Sequence, residues 1–193
     1  MKLHHAVSRI VCGLLLLCTA ARADDADRSG IQSLGLRFAY GVGNRHQLRF
    51  FSLLPRVSLF FPQCIDRALA AHHLQLEYVI EPIASYITNS TDTVEAGVNP
   101  LFFALRYDQG QALVPFIEGG EGVLYTDLRG ERLGTRFQFS SQGGAGLHWF
   151  ISRTVAVTAA YRLRHISNAG ISRENSGLNT DFFSFGITLY PRR

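Results

Sequence analysis

The sequence predicts an all-β fold: an eight-stranded antiparallel transmembrane β-barrel of the outer-membrane type. Three observations predict it. The N-terminus reads as a secretory leader. The rest of the chain divides into eight long runs with partial alternation. The best of these runs set an apolar face against a small, polar or charged one.

The leader comes first. Lys2 and Arg9 bracket a positive region, the Leu-rich run Ile10 to Ala21 follows, and Ala21-Arg22-Ala23 is a small-x-small cleavage pattern before Asp24-Asp25. This is the pattern of a signal peptide over residues 1–23, with 24–193 left as a single β-barrel domain. The apolar run is too short to span a bilayer as a helix, which takes roughly 20 residues. A lipoprotein reading through Cys18 is poor, because bulky leucines precede that cysteine. Cys12 and Cys18 leave with the leader. Cys64 then has no second cysteine to pair with and reads as a buried or turn residue. No ordered His or Cys set suggests a metal ligand, and no cofactor is expected.

Charge excludes another class. Lys2 is the only lysine, and cleavage removes it with Arg9 and Arg22, three of the charges behind the formal net +4. A nucleic-acid partner loses most of its support. The remaining basic residues are all arginine, which suits bidentate phosphate contacts, although codon bias explains most of them more simply.

The runs are Ser33–Val42, His46–Leu54, His72–Ile87, Thr93–Tyr107, Ala112–Thr126, Thr135–Phe150, Arg153–Ser167 and Asn179–Tyr190. Turn signals separate most of them: Gly43-Asn44, Asn89-Ser90-Thr91, Asp108-Gln109-Gly110, Asp127 to Gly134 and Ser152-Arg153. The last two runs alternate best. Val155, Val157, Ala159, Tyr161 and Leu163 share one face, opposite Thr154, Ala156, Thr158, Ala160, Arg162 and Arg164. Phe183, Phe185, Ile187 and Leu189 share a face opposite Ser184, Gly186 and Thr188. A soluble sandwich would bury the apolar face; a transmembrane barrel turns it outward to lipid. Run length favours the barrel, since a span takes about 9–11 tilted residues and sandwich strands average about 5–6.

Two features pull the other way. The chain ends Tyr190-Pro191-Arg192-Arg193 rather than on an aromatic residue. Ser52 to Leu69 is irregular, with Pro55 and Pro62 flanking Val57 to Phe61, so it reads as a long turn with a helical portion over Ile65–Ala71 or as a misplaced second strand. Glu118, Arg162 and Arg164 are expected in a polar network, because an eight-strand interior is only wide enough for side chains. Tyr161, Tyr190 and Trp149 read as belt aromatics, and His46, His72, His73 and His148 as interfacial.

The stretch "YRLRHISNAG", Tyr161 to Gly170, carries the chemistry. Continuing the apolar face by twos from Leu163 gives His165 and then Ser167. A potential base and a potential nucleophile therefore point outward. With the N-terminus in the periplasm, the seventh run ends at the cell surface, so the pair would meet a substrate lying in the outer leaflet. The bland reading is two interfacial polar residues at a strand end.

"HISNAG" (His165 to Gly170) with "NSGLN" (Asn175 to Asn179) resembles the outer-membrane lipid A 3-O-deacylases, the PagL family. "PFIEGGEGV" (Pro115 to Val123) and "GGAGLHWF" (Gly143 to Phe150) match that family's fifth and sixth strands in style. The resemblance covers Val114 to Leu189 well; over Ser33–Tyr107 only strand rhythm agrees. It implies a metal-free serine esterase of the Gram-negative outer membrane, acting on lipid A of lipopolysaccharide. Ser167 would be the nucleophile, His165 the general base, and Asn168 and Gly170 the oxyanion site. The family's glutamate, fourteen residues after the histidine, is Asn179 here. An amide orients an imidazole but cannot offset its charge, so Asp181 or Glu174 could substitute. The alternatives are a weak or inactive relative with a structural or lipid-binding role, and a soluble lipid-binding barrel with an apolar cavity. The resemblance also allows a homodimer, for which no residue of this chain speaks.

Overall fold

The computed structural model describes residues 30–45, 48–89, 92–128 and 132–191. The expected leader lies outside the described residues, as does His46. Eight antiparallel strands close a barrel: β1 (Ile31–Gly43), β2 (Arg49–Phe60), β3 (Leu74–Thr88), β4 (Thr93–Tyr107), β5 (Leu113–Thr126), β6 (Phe137–Phe150), β7 (Val155–Ser167) and β8 (Leu178–Leu189), with a short helix α1 (Gln63–Ala70) between β2 and β3. Each strand pairs with the next in sequence. β8 returns to β1, from Leu34 opposite Leu189 to Gly43 opposite Thr180, so no edge is left open.

The faces are inverted relative to a soluble protein. Phe38 and Phe185 are 65% and 62% exposed, whereas Arg37 and Arg164 are 1% exposed. Alternation alone accomplishes this, because side chains of period two fall on opposite sides of the wall. The interior holds an ion network. Glu118 accepts from Arg37, Arg56 and Arg162 at 3.0, 2.8 and 2.6 Å, and Glu81 accepts from Arg56 and Arg162 at 2.8 and 2.6 Å. Asn99 Nδ2 donates to Glu81 at 3.0 Å. Arg162 also lies over the Phe102 ring and Arg37 over Phe116. An interior packed with paired charges is not the apolar cavity of a soluble lipid carrier, and that expectation is overturned.

Four local expectations are corrected. The second strand is Arg49–Phe60, not His46–Leu54. Pro55 does not stop it: Pro55 sits opposite Leu36 of β1, and the β2–β3 ladder lapses between the Leu53–Ala84 and Val57–Ile80 pairs. Pro55 falls in that gap, level with Pro82, so the two residues that lack an N–H face each other where the ladder is interrupted. The helix is Gln63–Ala70 rather than Ile65–Ala71; it starts directly behind Pro62, whose carbonyl accepts from Ile65 N at 2.9 Å. Tyr190 is not a belt aromatic. It is 1% exposed and its hydroxyl lies 3.1 Å from His148 Nε2. His148 is likewise interior, 2.8 Å from the Thr158 hydroxyl. Parity decides both, since each is an odd number of positions from its lipid-facing neighbours, Leu189 and Trp149.

Candidate active site

β7 delivers His165 and Ser167 to the outer face, His165 exposed and Ser167 half-buried. Pairing on both sides then sets their neighbours. His165 is level with Ser141 of β6 and with Asn179 of β8, and Ser167 is level with Phe139 of β6.

His165 Nδ1 lies 2.6 Å from Asn179 Oδ1. An amide oxygen only accepts, so Nδ1 carries the hydrogen, and in the neutral ring Nε2 keeps its lone pair. Asn179 is itself pinned from the other flank: its N–H donates to Asn44 Oδ1 at 3.1 Å, and its carbonyl accepts from Asn44 N at 2.9 Å. The Nε2 edge is shaped by Gly177, at φ +60°. A Cβ there would lie 2.6 Å from His165 Cε1 and 3.1 Å from Nε2, so only glycine lets the imidazole take this position. Ser167 is two residues on, a rise of about 6.6 Å, and no hydrogen bond joins it to His165 among the described residues.

The segment after Ser167 is organised by Asn168, which is fully buried. Its side-chain nitrogen donates to the carbonyls of Leu133 and Glu174, both at 2.8 Å, and its Oδ1 accepts from Gly170 N at 2.9 Å. Its own N–H donates to Asn175 Oδ1 at 3.0 Å. One side chain therefore ties the end of β7 to the β5–β6 connection and to its own loop. Ala169 and Gly170 take left-handed φ of 51° and 85°, which turns the chain sharply behind Asn168.

Of the three orienting candidates, the structure brings Asn179 to His165. Asp181 is level with Leu163 instead and accepts from the Tyr161 hydroxyl. Glu174 lines a cleft of about 510 Å³ with Asp127, Arg132 and Arg136. Sequence reading quoted Asn175 and Gly177 within a motif and Asn44 within a turn but gave them no role, because their contacts follow from loop geometry. It also missed Ser141 and Glu121, for which a signal was present: counting by twos from Ile117 puts Glu121 on an otherwise apolar face. Among the described residues, no three His, Cys, Asp or Glu side chains group to hold a metal ion.

A family model described as lipid A 3-O-deacylase (PagL) matches residues 56–188, a span holding every candidate site residue. The chain belongs to the PagL family. The barrel is also similar to the crystal structure of the outer membrane enzyme PagL, with a TM-score of 0.63 at 20% identity, covering 79% of this chain and 97% of that one. The crystal structure of Neisserial surface protein A is similar with a TM-score of 0.54 at 14% identity, covering 82% and 96%. No curated protein matches the chain. At these identities the structural likenesses establish the fold. Family and fold together make this PagL-family chain an integral β-barrel of the outer membrane.

Proposed function

We propose that this PagL-family barrel is a serine esterase that removes the 3-O-linked hydroxyacyl chain of lipid A, working at the outer leaflet from the lipid-facing side of β7. The observation that carries the proposal is His165. Asn179 holds its Nδ1–H, its Nε2 is left able to accept a proton, and Ser167 stands two residues away on the same outward face.

The chemistry follows from those positions. Nε2 takes the proton from Ser167 Oγ as the oxygen attacks the ester carbonyl carbon. The tetrahedral oxyanion is met by the Asn168 and Gly170 amides, which exchange their present acceptors, Asn175 Oδ1 and Asn168 Oδ1, for the developing charge. Collapse breaks the C–O bond to the sugar, whose oxygen leaves with the proton from the imidazolium. Water, deprotonated by His165, then hydrolyses the acyl-serine and frees the hydroxy fatty acid. A ligand-free enzyme often tightens its base–nucleophile bond only when substrate arrives.

Lipid A from a deacylase-free Gram-negative host expressing the chain should lose the mass of one hydroxyacyl group. Unchanged lipid A, with the folded barrel present in the outer membrane, would instead favour the non-enzymatic reading and point to Asn179. A second expectation concerns Gly177. Alanine there drives a methyl group into the imidazole, and a misplacement near 1 Å costs on the order of 100-fold in rate. Gly177→Ala should therefore lower kcat by about that factor in purified protein while the barrel still folds, which its circular dichroism would verify.

A further inference from the structure

The site lies in a row of four outward side chains at one level. Glu121 on β5 is opposite Ser141 on β6, Ser141 is opposite His165 on β7, and His165 is opposite Asn179 on β8. The row is linked at both ends: Ser141 Oγ donates to Glu121 Oε2 at 2.7 Å, and His165 Nδ1 donates to Asn179 Oδ1 at 2.6 Å. Resting on the esterase reading above, we propose that Glu121, acting through Ser141, is the positioning residue that supplies the negative charge Asn179 cannot.

Glu121 departs from the pattern that most strand charges follow. Strand alternation sends Glu77, Glu81, Glu95 and Glu118 inward, together with Arg37, Arg56, Arg106, Arg162 and Arg164. Within the described strands, only Arg49, Glu121 and Asp181 put a formal charge outside. Arg49 is the first residue of β2, and Asp181 is held by Tyr161. A charge on the lipid face destabilises a barrel according to its depth, so a carboxylate kept there, level with the imidazole, calls for a role. The lateral distance suits one. Two inter-strand steps of about 4.8 Å place Glu121 roughly 10 Å from His165 at the backbone. Directly opposite side chains lie closer, with Cβ atoms about 4.5–5.5 Å apart. When Ser141 gives its hydrogen to the carboxylate, its oxygen becomes more negative beside the ring. The imidazolium formed as Ser167 loses its proton is thus flanked by a neutral amide on β8 and a polarised hydroxyl backed by an anion on β5. The family's acid has moved to the opposite flank of the histidine.

The test uses purified full-length barrel in detergent with lipid A as substrate. Wild type, Ser167→Ala, Glu121→Gln, Asn179→Glu and the Glu121→Gln/Asn179→Glu double variant are compared, each checked for the heat-dependent gel mobility of a closed barrel. Glu121→Gln should lower kcat by about tenfold, the effect of one charge at this range in an intermediate dielectric, with KM unchanged. In the Asn179→Glu background the same substitution should cost nothing, because a carboxylate already touches the ring. A purely structural Glu121 would not be rescued from position 179. Two outcomes overturn the inference: Glu121→Gln turning over like wild type, or a loss that persists in the double variant. A wild type that leaves lipid A intact overturns the esterase reading itself, and the wild-type and Ser167→Ala pair reads that failure separately.

Discussion

Replacing Ser167 by alanine should reduce lipid A deacylation by about 10⁴-fold or more and leave the barrel as stable as before. Loss of a nucleophilic serine from a Ser–His unit removes the covalent route entirely, and what survives comes from binding and oxyanion contacts alone. Stability should move by no more than about 0.5 kcal/mol. The side chain is half-buried on the outer face, beside Phe139 in register, and belongs to neither the interior network nor the Asn168-centred loop. Initial rates on purified lipid A give the first quantity and urea unfolding in lipid vesicles the second. Labelling with a fluorophosphonate, followed by peptide mass spectrometry, should place the adduct on Ser167 in the wild type. The informative failure is a specific one. Ser141 is directly opposite His165, whereas Ser167 is two residues along the same strand. If Ser141→Ala abolished turnover and Ser167→Ala did not, the nucleophile would be on β6, and the row through Glu121 would have to be read as a relay into Ser141.

What could be read in advance depended on whether the governing period was local. The fold was legible because a barrel wall needs only period two and turn signals. Val155 to Leu163 and Phe183 to Leu189 state that period without interruption, and both faces came out as expected. The same rule placed His165 and Ser167 outward. β2 was misjudged because Pro55 normally argues against a strand interior. It is tolerated only because the partner strand offers no ladder bond at that level, a fact of pairing between positions far apart in sequence. Tyr190 was assigned to the belt by its residue type, although one step beyond Leu189 it had to turn inward. The site divided in the same way. The His165–Asn179 contact joins residues that a motif already linked. Ser141 and Glu121 enter through the β5–β6 and β6–β7 registers, which depend on where each turn closes. Gly177 and Asn44 matter through backbone geometry that no spacing rule reports.

The second large effect is expected inside the wall. Glu118→Gln should destabilise the barrel by about 3–5 kcal/mol, the usual cost of removing one partner from a buried ion network. Glu118 is the acceptor shared by Arg37, Arg56 and Arg162, all three buried. Glutamine leaves Glu81 to serve the cluster, and Arg37 has no ion-pair contact with Glu81 among those described. The guanidinium that suffers most is therefore Arg37, over Phe116. Pairing Glu118→Gln with Arg37→Met should recover part of the loss, since the pair together is close to neutral replacement, whereas pairing it with Arg164→Met should not. Arg164 is held by Glu95 in a separate pair. Urea midpoints for the three variants decide this, and an unchanged midpoint for Glu118→Gln would mean that water already reaches the cluster. Turnover at moderate temperature should stay near wild type while the variant remains folded. β7 gives Arg162 and Arg164 to the interior and His165 and Ser167 to the exterior, so one strand carries the ion network and the proposed catalytic pair on opposite sides, separated by the thickness of the sheet.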